Sequence, residues 1–207
     1  MARSRRDPPI YNHPSSPGLI GFRYSNYDTP FWVRPNSHPG RWAIPEDGPT
    51  QYLSLHPDGA WAELARRENL RTDSDLATVR TKIWIAEIRD QLIVDYSTFE
   101  NAERAGLPPV ALVSDDYDVC QAEGRRLREL DYAGVLAPSA AIPGIMNLTL
   151  FGPRRRIQWA TTSQLKSTIP SAVVALGAPN PEITPRVRHY GSTHADYETY
   201  RGMAKKD

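Results

Sequence analysis

The chain has 207 residues, of which 40% are hydrophobic and 24% charged, a balance typical of one globular domain and unlike that of a disordered chain. Lys and Arg number 25 against 24 Asp and Glu, and the net charge of +1 argues against a DNA- or RNA-binding surface. No apolar run reaches the roughly 20 residues of a membrane span, and the basic N-terminus lacks the apolar stretch of a secretory signal. The single cysteine, Cys120, excludes an internal disulfide and favours the cytosol.

Proline is frequent, with 19 residues, and it interrupts both helices and central strands. The composition therefore predicts an α+β fold of short elements joined by loops, not a helical bundle. Residues 1–17 are expected to form a flexible N-terminal arm, which leaves residues 18–207 as a single domain.

The first elements are predicted from periodicity and capping signals. Residues 19–25 form a first strand, and the proline-rich residues 28–49 form a long ordered loop or lid of a kind that usually carries function. A short strand over 51–55 then leads into a helix over 59–69, with Asp58 as its N-cap.

The rest of the chain alternates strands and helices. Residues 81–95 have some helical propensity, but their alternating β-branched residues favour a strand, a turn and a strand. A helix is expected over 98–105, ending at Gly106, and another over 117–130, capped by Asp115-Asp116. Short strands follow near 134–137, 147–151, 156–161 and 171–176, and the tail after about residue 186 has no clear pattern.

Four side chains near the N-terminus carry the candidate chemistry. Arg23 interrupts an apolar strand and Arg41 lies in the long loop, so each guanidinium is either an exposed charge or the partner of an anion such as a pyrophosphate. Tyr52 is either a core residue or a ring that stacks on a ligand. Glu63 lies on the flank of its helix, where it is either solvated or aimed into a cleft to stabilise a developing cation.

These residues belong to short segments whose order and spacing resemble the RES domain, the toxin half of bacterial RES–Xre toxin–antitoxin pairs. The resemblance covers about residues 19–160. It rests on Gly21-Phe22-Arg23-Tyr24-Ser25, Pro39-Gly40-Arg41-Trp42, Gln51-Tyr52-Leu53-Ser54 with Ala60-Trp61-Ala62-Glu63-Leu64, Gly134-Val135-Leu136-Ala137-Pro138-Ser139, and Asn147-Leu148-Thr149-Leu150-Phe151-Gly152.

The resemblance implies an ADP-ribosyltransferase-like α+β fold, with small, mostly antiparallel sheets flanked by helices. It also implies an enzyme that cleaves NAD at the nicotinamide–ribose bond, with water or phosphate as acceptor. NAD would be a consumed substrate, so neither a cofactor nor a metal is expected.

The resemblance also assigns site residues. Glu63, Arg23 and Tyr52 would be catalytic. The residues expected to bind NAD are Arg41, Ser139, Trp42, Tyr24 and Asp118. Ser139 and Asp118 compete for one family position, with Ser139 preferred, and Asn147 is expected to satisfy backbone groups near a strand start.

The implied partner is an Xre-like antitoxin that blocks the cleft. The protein is expected to be cytoplasmic and to contact neither nucleic acid nor membrane, and a homo-oligomer stays open. The chain departs from the family at Ala43, where the family segment Gly-Gly-Arg-Trp-Asn has Asn, and at the acidic Asp118. Two other functions stay open: an ADP-ribosyltransferase that modifies a macromolecule, and a non-catalytic RES-like binding module.

Overall fold

The computed structural model describes residues 7–11, 19–25, 37–88, 92–152, 174–177 and 179–205. The strand predicted near 156–161 lies outside these residues, as do the beginning of the long loop and most of the N-terminal arm. Within the described part of the chain, no helix is long and apolar enough to cross a bilayer.

Seven strands in the described part of the chain form one sheet. They are β1 (Leu19–Tyr24), β2 (Thr50–Ser54), β3 (Thr81–Ile88), β4 (Ile93–Asp95), β5 (Gly134–Pro138), β6 (Met146–Phe151) and β7 (Val174–Gly177). Their order is β4-β5-β6-β2-β1-β3-β7. Neighbours run antiparallel except β4 and β5, which are parallel, so the predicted α+β pattern with mostly antiparallel strands is confirmed.

The sheet has a seam between its two halves. β2 pairs with β6 over five residue pairs and β1 with β3 over six, but β1 and β2 share only the pair Phe22–Ser54. Antiparallel continuation would bring Arg23 and Tyr24 opposite Leu53 and Tyr52, but these residues do not pair. The strands therefore separate where the candidate residues lie, which leaves room for a cleft.

Five helices flank the sheet in the described ranges. They are α1 (Pro57–Arg67), α2 (Asp73–Thr78), α3 (Phe99–Arg104), α4 (Asp118–Glu129) and α5 (Ala195–Met203). Short 3-10 helices occur at Pro45–Asp47, Pro109–Leu112 and Pro181–Arg186. The sequence patterns did not predict α2 or α5; the other helices and the strands through β6 agree with the prediction to within about two residues.

Helix α1 begins two residues earlier than Asp58 predicts. His56 is the N-cap: its backbone is extended, its ring Nδ1 accepts from Asp58 N at 3.2 Å, and Pro57 occupies the first helical position. Proline is favoured there because its missing N–H would have had no helical partner. The prediction of Asp58 as the cap is therefore wrong, although the buried face of the helix is as expected, with Ala60, Trp61, Leu64 and Ala65 inside.

The ends of α3 and α4 test two further capping predictions. Gly106 has φ +81°, the left-handed conformation predicted for the residue after α3. At α4, Asp116 Oδ1 accepts from Asp118 N at 3.0 Å, whereas Asp115 does not cap the helix and binds two arginines instead.

Two apolar clusters anchor the helices. One packs α1 against the sheet and the C-terminal 3-10 helix, with Trp61, Ile83, Ile142 and Ile183 buried. The other packs α3 and α4 around Trp42, Tyr96, Leu112 and Leu127. These clusters fix the positions of α1 and of the loop around Trp42.

Residues 9–11, within the segment predicted as an arm, lie along β4. Tyr11 N donates to Ile93 O, and Asp95 N donates to Pro9 O, each at 2.8 Å. Ile10 forms an isolated antiparallel bridge with Val94. This short stretch is therefore held against the edge strand of the sheet.

Candidate active site

An open cleft of about 1310 Å³ lies at the seam. β1, β2, β6, α1 and the loop before β2 supply most of its walls. Of the residues assigned from the sequence, those that line it are Arg23, Tyr24, Arg41, Trp42, Tyr52 and Glu63, and Asn147 lines it as well. The seam thus brings together residues from five elements of the chain.

Glu63 projects from the flank of α1 into this cleft and is half-buried. Its Oε1 accepts a hydrogen bond from Asn147 Nδ2 at 2.6 Å and one from Ser139 Oγ at 3.1 Å. Two donors on one oxygen fix the position of the carboxylate. A solvated helix carboxylate would have neither contact, so Glu63 is not a free surface residue.

Ser139 supports Glu63 from beneath the cleft. It follows β5 and is fully buried, and its Oγ accepts from Ala141 N at 3.2 Å and from Ile142 N at 3.3 Å while donating to Glu63. Because a hydroxyl has one proton and these two amides occupy its acceptor side, the proton is directed to the carboxylate. Ser139 is absent from the cleft lining, and its contact is with Glu63.

Asn147 has a role that the sequence did not suggest. We expected it to satisfy backbone groups, but its amide donates to Glu63, and its Oδ1 is buried without a partner among the described residues. The amide orientation follows from the carboxylate, which can only accept. Asn147 is therefore the residue that the sequence reasoning underrated, although its segment had been singled out.

Among the residues that the structure describes, Arg23 is a cation of the cleft without a protein acceptor. It is half-buried on β1 and lines the cleft, and it makes no ion pair or hydrogen bond within the described part of the chain. Burial lowers its pKa, yet a guanidinium stays protonated at any ordinary pH. A partly buried cation is costly unless an anion accompanies it, so this position fits a negatively charged ligand.

Arg41 is engaged by the protein. Its Nη1 donates to Ala111 O at 2.8 Å and its Nη2 to Ser114 O at 2.7 Å, while the guanidinium lies 4.6 Å from the centre of the Tyr117 ring. These contacts dock the loop before β2 onto the segment before α4. Only the N–H groups of the Arg41 guanidinium that do not make these two hydrogen bonds stay available to a ligand.

Tyr52 presents a protonated phenol to the cleft. Burial raises its pKa to about 12, and its hydroxyl oxygen accepts from Trp42 N at 3.2 Å. The hydroxyl proton has no acceptor among the described residues. Tyr52 can therefore donate a hydrogen bond to a ligand as well as pack a ring against it.

The remaining assigned residues fall into three different settings. Tyr24 lines the cleft, and the Arg67 guanidinium lies 5.1 Å from its ring centre. The Trp42 side chain is in the core, 3% exposed and stacked on Tyr96, so the expectation that its indole binds a ligand is not supported. Asp118 is exposed at the start of α4 and, like Ser139, lies outside the cleft lining, but unlike Ser139 it makes no contact with Glu63 among the described residues.

A second cluster at the cleft was not foreseen. Arg66 donates to Asp115 Oδ1 at 2.6 Å and stacks over Tyr190, and Arg188 contacts the same carboxylate oxygen at 2.9 Å. Partial burial raises the pKa of Asp115, but the hydrogen bond from Gly191 N and the two arginines outweigh that effect and hold the pKa below its usual value. No spacing rule connects these residues, because they come from three distant segments.

Within the described residues, no group of three His, Cys, Asp or Glu side chains is placed to hold a metal ion. Cys120 is buried, and its thiol donates to Ala111 O at 3.2 Å. Burial raises the pKa of Cys120 to about 11, so the thiol is protonated at neutral pH and is a poor nucleophile.

Comparison with known proteins adds three findings. A model of the RES domain matches residues 19–165. A probable NAD(+) phosphorylase of Mycobacterium tuberculosis is 32% identical over 117 residues, a stretch that covers 56% of this chain and 55% of that protein. The chain therefore matches about half the length of this curated relative.

The fold also matches a solved structure. A chain of the M. tuberculosis MbcT-MbcA toxin-antitoxin complex superposes with a TM-score of 0.57 and 22% identity, covering 70% of this chain and 78% of the other. At that identity the match concerns the fold alone. It agrees with the α+β architecture that the sequence predicted.

Proposed function

The chain belongs to the RES domain family, and from that premise we propose that it is an enzyme that cleaves NAD at the nicotinamide–ribose bond. The observation that carries the proposal is the fixed Glu63 carboxylate in the same cleft as Arg23, a cation with no acceptor in the described part of the chain. The site thus offers one negative and one positive group to a ligand that needs both.

The proposed reaction breaks the bond between the ribose C1′ and the nicotinamide nitrogen. Nicotinamide leaves with both bonding electrons and becomes neutral, while the ribose carbon acquires oxocarbenium character. Glu63 stabilises this positive charge, and because Ser139 and Asn147 already hold the carboxylate, little reorganisation is needed at that moment.

Arg23 and Tyr52 position the substrate in this proposal. The Arg23 guanidinium pairs with the pyrophosphate, whose geometry suits a planar fork. Tyr52 packs its ring beside the nicotinamide end and offers its hydroxyl proton. Arg41 mainly holds the loop before β2 in place, so its contribution to phosphate binding is smaller than the sequence predicted. Tyr24 lines the cleft in this proposal.

The acceptor that we propose is inorganic phosphate, as the name of the mycobacterial relative suggests. A phosphate oxygen then forms a bond to C1′, and the products are nicotinamide and ADP-ribose 1-phosphate. With water as acceptor the products are nicotinamide, ADP-ribose and a proton. Neither route needs a redox partner, because nicotinamide is released and not reduced.

Release of nicotinamide from NAD by the purified chain tests the proposal, with and without phosphate. We expect turnover by the native chain and a fall in kcat of about 10²–10³-fold for Glu63→Gln, because the amide keeps the shape but loses the stabilising charge. Glu129→Gln is the matched control, since Glu129 is exposed at the end of α4.

The products separate the rivals. Turnover that does not respond to phosphate would indicate hydrolysis, and label from NAD on an added protein would indicate an ADP-ribosyltransferase. NAD binding without turnover by folded protein would contradict the proposal and leave the binding-module function.

The proposal extends to partner and compartment. An enzyme that removes NAD harms the cell that makes it, and the fold matches a chain from a toxin-antitoxin complex. We therefore propose a cytoplasmic toxin that an Xre-like antitoxin neutralises by covering the cleft. Added antitoxin should abolish nicotinamide release in proportion to its amount.

A further inference from the structure

We infer that residues 188–196, here called the C-terminal clamp, complete the active site, with His194 and Arg188 as positioning residues for Glu63. The inference rests on the proposed function and deepens it. The clamp lies beyond residues 19–165 that the RES domain model matches. Its importance therefore follows from contacts in the structure and not from the family motifs.

The clamp binds three consecutive carbonyl groups of the loop after β5. His194 Nε2 lies 2.9 Å from Ser139 O, Arg188 Nη1 donates to Ala140 O at 3.3 Å, and Arg188 N donates to Ala141 O at 2.7 Å. A carbonyl only accepts, so His194 carries its proton on Nε2. Asp196 adds a fourth contact by accepting from Gly144 N at 2.7 Å.

This loop holds the candidate catalytic carboxylate. Ser139 contributes its carbonyl to His194 and its hydroxyl to Glu63, so a single residue joins the clamp to the site. The hydroxyl is oriented by Ala141 N and Ile142 N, and the carbonyl of Ala141 is itself bound by the clamp. A shift of this backbone therefore displaces the hydrogen bond to Glu63.

The clamp also holds the helix that carries Glu63. Arg188 of the clamp and Arg66 of α1 contact the same oxygen of Asp115, and Gly191 N donates to the other oxygen at 2.6 Å. Arg66 lies three residues after Glu63, on the neighbouring turn of the same helical face. The donor loop and the acceptor helix are thus tied to one segment.

The side chains that make these contacts are buried from water. His194 is 2% exposed and Arg188 8% exposed, so water does not replace their hydrogen bonds when a side chain is removed. The effect of a lost contact then falls on the backbone of the loop. Misplacement of a reacting group by about 1 Å costs on the order of 100-fold in rate.

Paired substitutions at His194 test the inference. Asn at this position places its amide near the former Nδ1 and loses the donor, whereas Gln can place its amide nitrogen near the former Nε2 and keep it. For His194→Asn we expect kcat to fall about 10–100-fold with KM for NAD changed by less than about 2-fold. For His194→Gln we expect kcat within about 3-fold of native.

His189→Asn is the matched control. His189 is also buried in the clamp, at 9% exposure, but its ring makes no hydrogen bond to the loop after β5. A general loss of stability would lower the activity of His189→Asn and His194→Asn alike. Positional support of Glu63 lowers kcat only for His194→Asn and is rescued only by Gln, with melting temperatures recorded for every variant.

Each outcome decides the inference. Native turnover with unchanged kcat in folded His194→Asn overturns the inference and leaves the proposed function intact, and a parallel fall for both Asn variants does the same. A native chain that releases no nicotinamide overturns the proposed function and the inference with it. If His194→Asn does not fold, Asp196→Ala removes the partly exposed contact to Gly144 N, and an unchanged kcat there overturns the inference.

Discussion

At the scale of single residues, the position of the Glu63 carboxylate depends on the hydrogen-bond donors around it. Asn147 and Ser139 supply hydrogen bonds to the same oxygen, and both are neutral. A charged neighbour would change the carboxylate itself, because two carboxylates at hydrogen-bond distance cannot both stay ionised.

We therefore predict that Asn147→Asp lowers kcat by about 10²-fold at neutral pH, since the pair would share a proton and lose its stabilising charge. The change preserves volume, so the loss should appear without a large fall in melting temperature. Nicotinamide release measured against pH checks this, with the fall relieved as pH rises. Asn69→Asp is the control, because Asn69 is exposed and its Oδ1, an oxygen that Asp retains, accepts from Arg71 Nε at 2.9 Å.

The sequence predicted the carboxylate and its arginine but not their supports. The RES-like segments named both Glu63 and Arg23, and Arg23 is also visible in the chain itself as a charge that interrupts an apolar strand. The contacts that fix Glu63 join residues 76 and 84 positions apart, and no periodicity reports such a pair. Trp42 shows the opposite limit, since an aromatic in a motif can serve the core.

At the scale of elements, α4 sets the position of the loop that carries Arg41. Gly124 lies where α4 meets the Trp42 carbonyl, and a Cβ built at Gly124 would overlap that oxygen. The same carbonyl accepts from Arg128 Nη1 at 3.1 Å, and Trp42 N donates to Tyr52. Because Gly124 has no side chain, the Trp42 backbone can lie close to α4, and from that position its N–H donates to the Tyr52 hydroxyl.

We predict that Gly124→Ala destabilises the fold by about 1–3 kcal/mol through overpacking, although alanine is the better helix former. The displaced Trp42 backbone should also lower kcat. Chemical unfolding and turnover measure the two effects. Gly202→Ala in α5 is the contrast, since no atom lies within 4 Å of its Cβ position. There we expect the free energy of unfolding to rise by up to about 1 kcal/mol. A rise in stability at both glycines would contradict the packing argument.

Element predictions succeeded where a local signal existed. The helix expected over 98–105 corresponds to α3, which Thr98 caps and after which Gly106 has a left-handed conformation. The start of α1 was misplaced, because a histidine cap is uncommon and Asp58 is the more usual capping type.

At the scale of the whole molecule, the C-terminal clamp carries two buried histidines, His189 and His194, that affect the stability of the folded chain. Burial lowers the pKa of His194 and of His189 from the usual value of 6.5. The charged and hydrogen-bonding groups that act on His194 are Ser139 O, Asp196, Arg188 and Arg66. The folded chain therefore binds protons less readily than the unfolded chain near that pH.

This difference sets the direction of the pH dependence. Where the unfolded state binds more protons, stability falls as pH falls. We predict that the free energy of unfolding is greatest above about pH 6.5 and declines between pH 6.5 and 5 as the pH approaches the lowered folded-state pKa values. Asp115 contributes nothing in that window, because its pKa is lowered below an already acidic value.

Urea unfolding at pH 7.5, 6.5 and 5.5 measures the decline, and the double variant His189→Gln with His194→Gln should flatten the profile between those values. A native profile that is flat across this range, or one that the double variant leaves as steep as native, would sink the prediction.

The fold class was predictable from the sequence, but the strand order and the long-range contacts were not. Alternating strands and proline-rich loops indicated an α+β fold, and the RES-like segments indicated its type. The strand order, the single Phe22–Ser54 pair at the seam and the path of the C-terminal clamp are long-range features that one sequence does not report. The tail without a clear pattern supplies the segment that closes around the site.

The position of the clamp in the chain has a consequence for the timing of synthesis. A ribosome adding about 5–20 residues per second makes Glu63 several seconds before His194. During that interval the growing chain has its carboxylate but not the contacts that hold Ser139 in place. Under the proposed function, the growing chain becomes active only after residues 188–196 have been made, and messages truncated before the clamp are expected to yield an inactive product.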